Sequence, residues 1–148
     1  MLKMKEELDK KLVKAFPLLY GDRNAPMQST AMCWGFPGDG WFDIIWDLSS
    51  KLEPLIQKFI DENQDTELYP KAFQVKEKFG GLRFYMTRGS REIYDLISEA
   101  EALSLKTCEE CGKPGEPPLP PNEGWIHTHC DDCHENWNKI RSKRWESE

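Results

Sequence analysis

Apolar residues recur along this chain at spacings that mark out its elements. Met4, Leu8, Leu12 and Phe16 fall every four residues among lysines and acids, which predicts a short amphipathic helix ended by Pro17. Residues 17–40 show no period and are rich in Gly, Pro, Asp and Asn, a long loop of the kind that carries function or its own local structure. The loop closes on Gly38-Asp39-Gly40-Trp41, where Asp39 is placed to cap the next helix. That helix puts Trp41, Ile45, Leu48, Leu52, Leu55 and Phe59 on one side, with Pro54 expected to bend or restart it. Its other side carries Asp39, Asp43 and Asp47, spaced as a Mg²⁺ site could be but read as an ordinary solvated face.

Residues 72–88 change period from four to two on both sides of Gly80-Gly81, the pattern of a tight β-hairpin. A turn at the two glycines would set Lys78 opposite Arg83, Lys76 opposite Tyr85 and Glu77 opposite Phe84. Phe73, Val75, Phe79, Leu82, Phe84 and Met86 then form the core face, and Gln74, Lys76, Lys78, Arg83, Tyr85 and Thr87 the other. Like charges facing each other across strands repel, so either an anionic ligand or neighbouring carboxylates must complete that face. Glu77 points inward among phenylalanines, where a carboxylate must be paired, hydrogen-bonded or protonated; an internal ion pair with an arginine is the favoured outcome over a general acid or base. Gly89-Ser90 caps a further helix whose stripe is Ile93, Leu96, Ile97, Ala100 and Leu103.

Chemistry enters with the cysteines. Cys108-x-x-Cys111 and Cys130-x-x-Cys133 are separated by 18 residues, which reads as one structural Zn²⁺ ion in a closed tetrathiolate shell. Gly112 lets the first pair form a knuckle, and Cys130 and Cys133 fall at the start of a helix-capable stretch, so the module is treble-clef or zinc-ribbon-like. A full shell has no open position for water, which disfavours metal-assisted hydrolysis. His127 and His129 alternate onto one side of the strand entering Cys130; either could replace a thiolate, but supporting or surface roles are favoured. His134, Asn136 and Asn138 crowd into one helical stretch, unlike a His-Asn-His nuclease. Pro117–Pro121 reads as a spacer, although it has the spacing of a polyproline ligand. Cys33 is left over and reads as a buried, inert thiol.

The 148 residues fit one α+β unit: a body over 1–107, helices on the 72–88 hairpin, and the zinc module with its terminal helix over 108–148 packed on that body. Aromatic content argues for a folded chain, and no run approaches the roughly 18 apolar residues of a membrane span. The charged N-terminus and metal-type cysteine spacing predict an intracellular, cytoplasmic protein. The net charge of −6 is unevenly spread: residues 39–70 hold eight acids against two lysines, 71–91 six basic residues against Glu77, and 92–135 eleven acids against two lysines. A basic island between acidic flanks suits a compact anion or a protein partner better than long nucleic acid. The expected site is therefore Lys76, Lys78, Arg83 and Tyr85, with Trp41 at its rim, and binding is favoured over catalysis by Glu77 or the Asp39 group. Two other readings are an acidic, nucleic-acid-mimicking protein that docks a host partner, and a nucleic-acid-binding finger using Lys139, Arg141, Lys143, Arg144, Trp137 and Trp145.

The set Gly38-Asp-Gly-Trp41, Lys76-Glu-Lys-Phe-Gly-Gly-Leu-Arg-Phe-Tyr85, Cys108-Glu-Glu-Cys-Gly-Lys-Pro-Gly115, Gly124-Trp125 and Cys130-x-x-Cys133 resembles a group of small proteins encoded by bacteriophages and prophages, over most of residues 16–134. The resemblance implies a bacterial cytoplasm during infection and an accessory role, such as sequestering a nucleotide signal or blocking a defence protein.

Overall fold

The structure is a computed structural model that describes residues 2–64, 67–116 and 126–146, the last six as backbone only. Its helices are α1 (Glu6–Ala15), α2 (Phe42–Asn63), α3 (Arg91–Ser104) and α4 (Asp131–Glu146), and its one sheet is the antiparallel pair β1 (Ala72–Lys78) and β2 (Gly81–Met86). The α+β class and the C-terminal cysteine cluster expected from the sequence are both present. No helix among the described residues is long and apolar enough to cross a membrane.

A shared core joins the predicted stripes. Leu12 of α1, Ile45, Leu48, Leu52 and Ile56 of α2, Val75, Leu82 and Phe84 of the hairpin, and Ile93 and Ile97 of α3 are all buried in it. The aperiodic loop is part of this core, since Leu19, Tyr20, Met32 and Phe36 are buried there too. Polar anchors fix its course. Glu53 accepts the backbone N–H groups of Leu18 and Leu19 at 3.2 and 2.8 Å, and Arg23 grips Asp9 in a two-pronged pair at 3.0 and 2.7 Å. Cys33 is half-buried, with its carbonyl bound by Arg23.

Two helix expectations need correction. α2 does not restart at Pro54 but continues through it, because Pro54 and Ser50 lie towards solvent and water can reach the carbonyl that proline leaves without a donor. Asp39 does not cap α2; its Oδ1 accepts the Lys5 N–H at 2.7 Å and ties the loop to the start of α1. Ser90 caps α3 as expected, accepting from the Ile93 N–H.

The hairpin turns one residue earlier than the glycine pair suggests. Val75 lies opposite Phe84, Lys76 opposite Arg83, Glu77 opposite Leu82 and Lys78 opposite Gly81, so the turn is Phe79-Gly80. From Gln74 to Lys78 each cross-strand partner therefore slips by two, which keeps every side chain on its expected face. Phe79 takes φ of 54° and is 68% exposed, so it is not core. Phe73 also leaves the core, because the ladder is irregular between Ala72 and Gln74 and Ala72 takes the buried place. Tertiary contacts explain the choice of turn: the Thr128 hydroxyl donates to the Gly80 carbonyl, and Gly80 lies against Ile126 and His127. The outer edge of β2 is closed by α3, where Ser104 Oγ accepts from Leu82 N–H at 2.9 Å and Glu101 Oε2 from Phe84 N–H at 3.0 Å.

The cysteine module is seated on the body through glycines. The Gly40 N–H donates to the Glu109 carbonyl at 2.7 Å, the Gly38 N–H to Glu109 Oε2 at 2.9 Å, and the Trp41 indole N–H to the Thr107 carbonyl at 2.8 Å. A Cβ on Gly38 would come 2.5 Å from the Glu109 carbonyl oxygen, and one on Gly40 would overlap backbone atoms of Cys108, Glu109 and Gly112. The Gly-Asp-Gly-Trp sequence is thus a seat for the cysteine knuckle.

An exposed Phe79 in the left-handed region carries a conformational cost that glycine does not. Phe79→Gly should therefore raise the stability measured by urea unfolding by about 1 kcal/mol, whereas a loss would show that the ring contributes packing.

Candidate metal centre and ligand cleft

The four cysteines converge. Their sulfurs all lie within 4.8 Å of one another, with Cys111 and Cys130 Sγ 3.6 Å apart. Ligand sulfurs around a tetrahedral zinc, at a bond length of about 2.3 Å, stand about 3.8 Å apart, so the cluster has the dimensions of a Cys₄ site for one ion. Local backbone shapes both halves. The Gly112 N–H returns to the Cys108 carbonyl at 2.9 Å with Gly112 at φ 83°, closing the knuckle. Cys130 immediately precedes α4, and the Cys133 N–H points at Cys130 Sγ from 3.5 Å.

A cation would change the state of these thiols. Burial and the neighbouring sulfurs push the Cys133 thiol well above its ordinary value, and burial pushes Cys111 up, while the Cys133 N–H holds Cys130 down. Packing four sulfurs this closely disfavours thiolates unless a metal ion binds them. A shell of four thiolates with no other donor suits zinc.

The basic face is where the sequence places it, on the side of the hairpin away from the core. Lys78 and Tyr85 are exposed and Lys76 and Arg83 half-buried. Lys76 stands directly across from Arg83, and among the described residues none of the three cations takes part in an ion pair. Lys78 leans over the Phe79 ring at 5.5 Å, and Arg83 reaches only its neighbour's carbonyl, Leu82, at 3.5 Å. Trp41 must be removed from the rim: it is fully buried, with its indole N–H bound to Thr107. The exposed aromatic is Trp34, 61% accessible.

Trp34 lines a cleft of about 280 Å³ along the open edge of β1, shared with Lys3, Gln74, Lys76, Glu77 and Glu109. The floor is acidic. Glu109 is buried; its Oε2 accepts from Gly38, and Oε1 has no hydrogen-bond partner among the described residues. Burial pushes its carboxyl up to about 7, opposed by the Gly38 bond and assisted by the charges of Glu77 and Glu110. Glu77 is half-buried, and its carboxylate accepts from the Gly80 N–H at 3.4 Å, so the turn supplies one of its partners.

Sequence reasoning passed over Glu109, because a residue inside a Cys-x-x-Cys pair reads as filler. Asp43 and Asp47 are exposed, with Asp47 paired to Lys51, as an ordinary solvated face would be. Pro117–Pro121, Gly124 and Trp125, and the side chains of Arg141, Lys143, Arg144 and Trp145, lie outside the described residues. Comparison of the chain with protein-family models, curated proteins and solved structures returns no match.

Purified protein should carry zinc bound through thiolates, read by elemental analysis together with the charge-transfer band of a cobalt-substituted sample. Cys133→Ser should weaken that site and cost more than about 4 kcal/mol of stability, whereas a variant as stable as the parent would show that the cluster is not a structural centre.

Proposed function

We propose that the protein is a zinc-braced, non-enzymatic binding protein for a phosphate-bearing, nucleotide-like ligand. The supporting observation is the juxtaposition of Lys76 and Arg83, cations facing each other without carboxylate partners among the described residues, beside a cleft with an exposed tryptophan. Holding like charges together is unfavourable unless an anion bridges them, and lysine and arginine give phosphate charge-assisted hydrogen bonds. In this reading phosphates lie across Lys76, Arg83 and Lys3, while a base stacks on Trp34 and offers amino donors to Glu77 and Glu109. The cleft is lined by both cations and hydrogen-bond acceptors, a combination that matches a nucleotide better than a bare anion. The zinc module contributes rigidity and carries Glu109 into the cleft. The resemblance to phage-encoded proteins supports an accessory role in a bacterial cytoplasm, in which sequestering a nucleotide signal counters a host defence.

Calorimetric titration with ATP and with inorganic pyrophosphate separates the two halves of the site. Lys76→Ala/Arg83→Ala should weaken both ligands by more than about tenfold with zinc content unchanged. Trp34→Ala should weaken ATP alone, by roughly tenfold, through lost stacking. Absence of ATP binding to the parent protein at millimolar concentration, or equal binding by the double variant, would contradict the proposal.

A further inference from the structure

The chain has three histidines, and the fold brings all of them to one place. His127 and His129 are two residues apart on the extended segment that enters Cys130, so their rings fall on the same side. His134 lies in the first turn of α4, which the Cys130-x-x-Cys133 turn folds back over that segment, with the His134 N–H bound to the Cys130 carbonyl at 3.0 Å. The result is a cluster in which one ring nitrogen from each histidine lies within 4.8 Å of the others. The His127 ring centroid is 4.1 Å from that of His129 and 5.8 Å from that of His134, and Trp137 of α4 covers His127 at 4.6 Å.

Buried imidazoles do not gather in this way for apolar packing alone, because each brings two polar nitrogens that need partners. Both nitrogens of His129 are buried with no hydrogen bond among the described residues. Glu110 Oε2 stands 3.8 Å from His129 Nε2, too long for a hydrogen bond. That separation suits two ligands of one ion: at metal–ligand bonds of about 2.0–2.1 Å, atoms on the edge of a tetrahedron are about 3.4 Å apart. Asn138 Nδ2 lies 3.3 Å from His134 Nε2 and steadies that ring.

We propose that His127, His129 and His134 form a second metal site that takes one zinc-class divalent cation, separate from the tetrathiolate centre, with the carboxylate of Glu110 moving in from beside His129 to complete the shell. Three imidazoles and one carboxylate are a donor set for Zn²⁺ or Co²⁺ rather than for Mg²⁺ or Ca²⁺. The two centres adjoin along the chain. Glu110 precedes Cys111, His129 precedes Cys130 and His134 follows Cys133, so the knuckle and helix turn that aim thiolates at one ion aim nitrogen and oxygen donors at the other. The exposure of Glu110 gives the second ion a route in from solvent.

The full chain, stripped of metal and titrated with Zn²⁺ and in parallel with Co²⁺, tests this through two independent signals. The first equivalent of Co²⁺ should raise the thiolate charge-transfer band, and a second should bind without raising it further. With Zn²⁺, the second equivalent should shift the ring signals of all three histidines in nitrogen-correlated NMR spectra. His134→Gln and Glu110→Gln should each weaken the second equivalent by more than about tenfold and leave the thiolate band in place. Because His127 and His129 are buried, these two more accessible positions keep the test independent of folding. Saturation at one equivalent would overturn the proposal. So would histidine shifts that complete with the thiolate band, since a histidine would then belong to the cysteine shell. Undiminished second-site binding in both variants would overturn it as well.

Discussion

The structure depends on a meeting of backbones that tolerates no side chain. Gly38 and Gly40 press onto the Cys108–Gly112 knuckle closely enough for main-chain groups to bond directly, Gly40 N–H to Glu109 carbonyl and Gly38 N–H to the Glu109 carboxylate. The Trp41 indole then reaches the Thr107 carbonyl, and α2 begins at the next residue. The cysteine knuckle thereby fixes the start of the longest helix among those described, and that helix carries much of the core stripe. A second contact works the same way, since Thr128 anchors the hairpin tip at Gly80. The cysteine module is a clamp on two distant parts of the body.

That clamp also arranges charge. The module brings carboxylates and thiolates to one side of the hairpin, with Glu109 buried among them and its proton held more tightly than usual. The cations Lys76, Lys78 and Arg83 project from the other face, where the described residues offer them no counter-ion. Between the two lies the cleft at the open edge of β1, with acceptors at its base, cations at its margin and Trp34 exposed beside it. This polarity is what a nucleotide-like ligand would exploit.

Much of this was legible in the sequence because it follows from periodicity and spacing. The helix stripes, the two faces of the hairpin and the converging cysteines are local consequences of residue order. Features set by contacts between distant segments were not legible. The turn moved to Phe79-Gly80 because Gly80 is gripped by Thr128, a residue 48 positions away. Trp41 looks like an exposed rim residue in a glycine-rich loop, yet its partner is Thr107, 66 positions away. Glu109 went unweighted, and the histidines were read one by one and not as a cluster, for the same reason, as their neighbours are assembled by the fold. A glycine pair flanking an aspartate just before a helix was the available clue, since two glycines where caps usually stand suggest close backbone approach.

The most direct measurement of the clamp is the zinc affinity of Gly40→Ala, in competition with a chromophoric chelator. Gly40 lies far from the four clustered cysteines along the chain but directly against the knuckle, where a methyl group would collide with its backbone. If the seat and the metal centre are one structural unit, zinc binding should weaken by more than about tenfold while the cysteines remain intact. Unchanged affinity would show that the knuckle folds and binds its ion independently of the body, which contradicts a metal centre acting as a clamp.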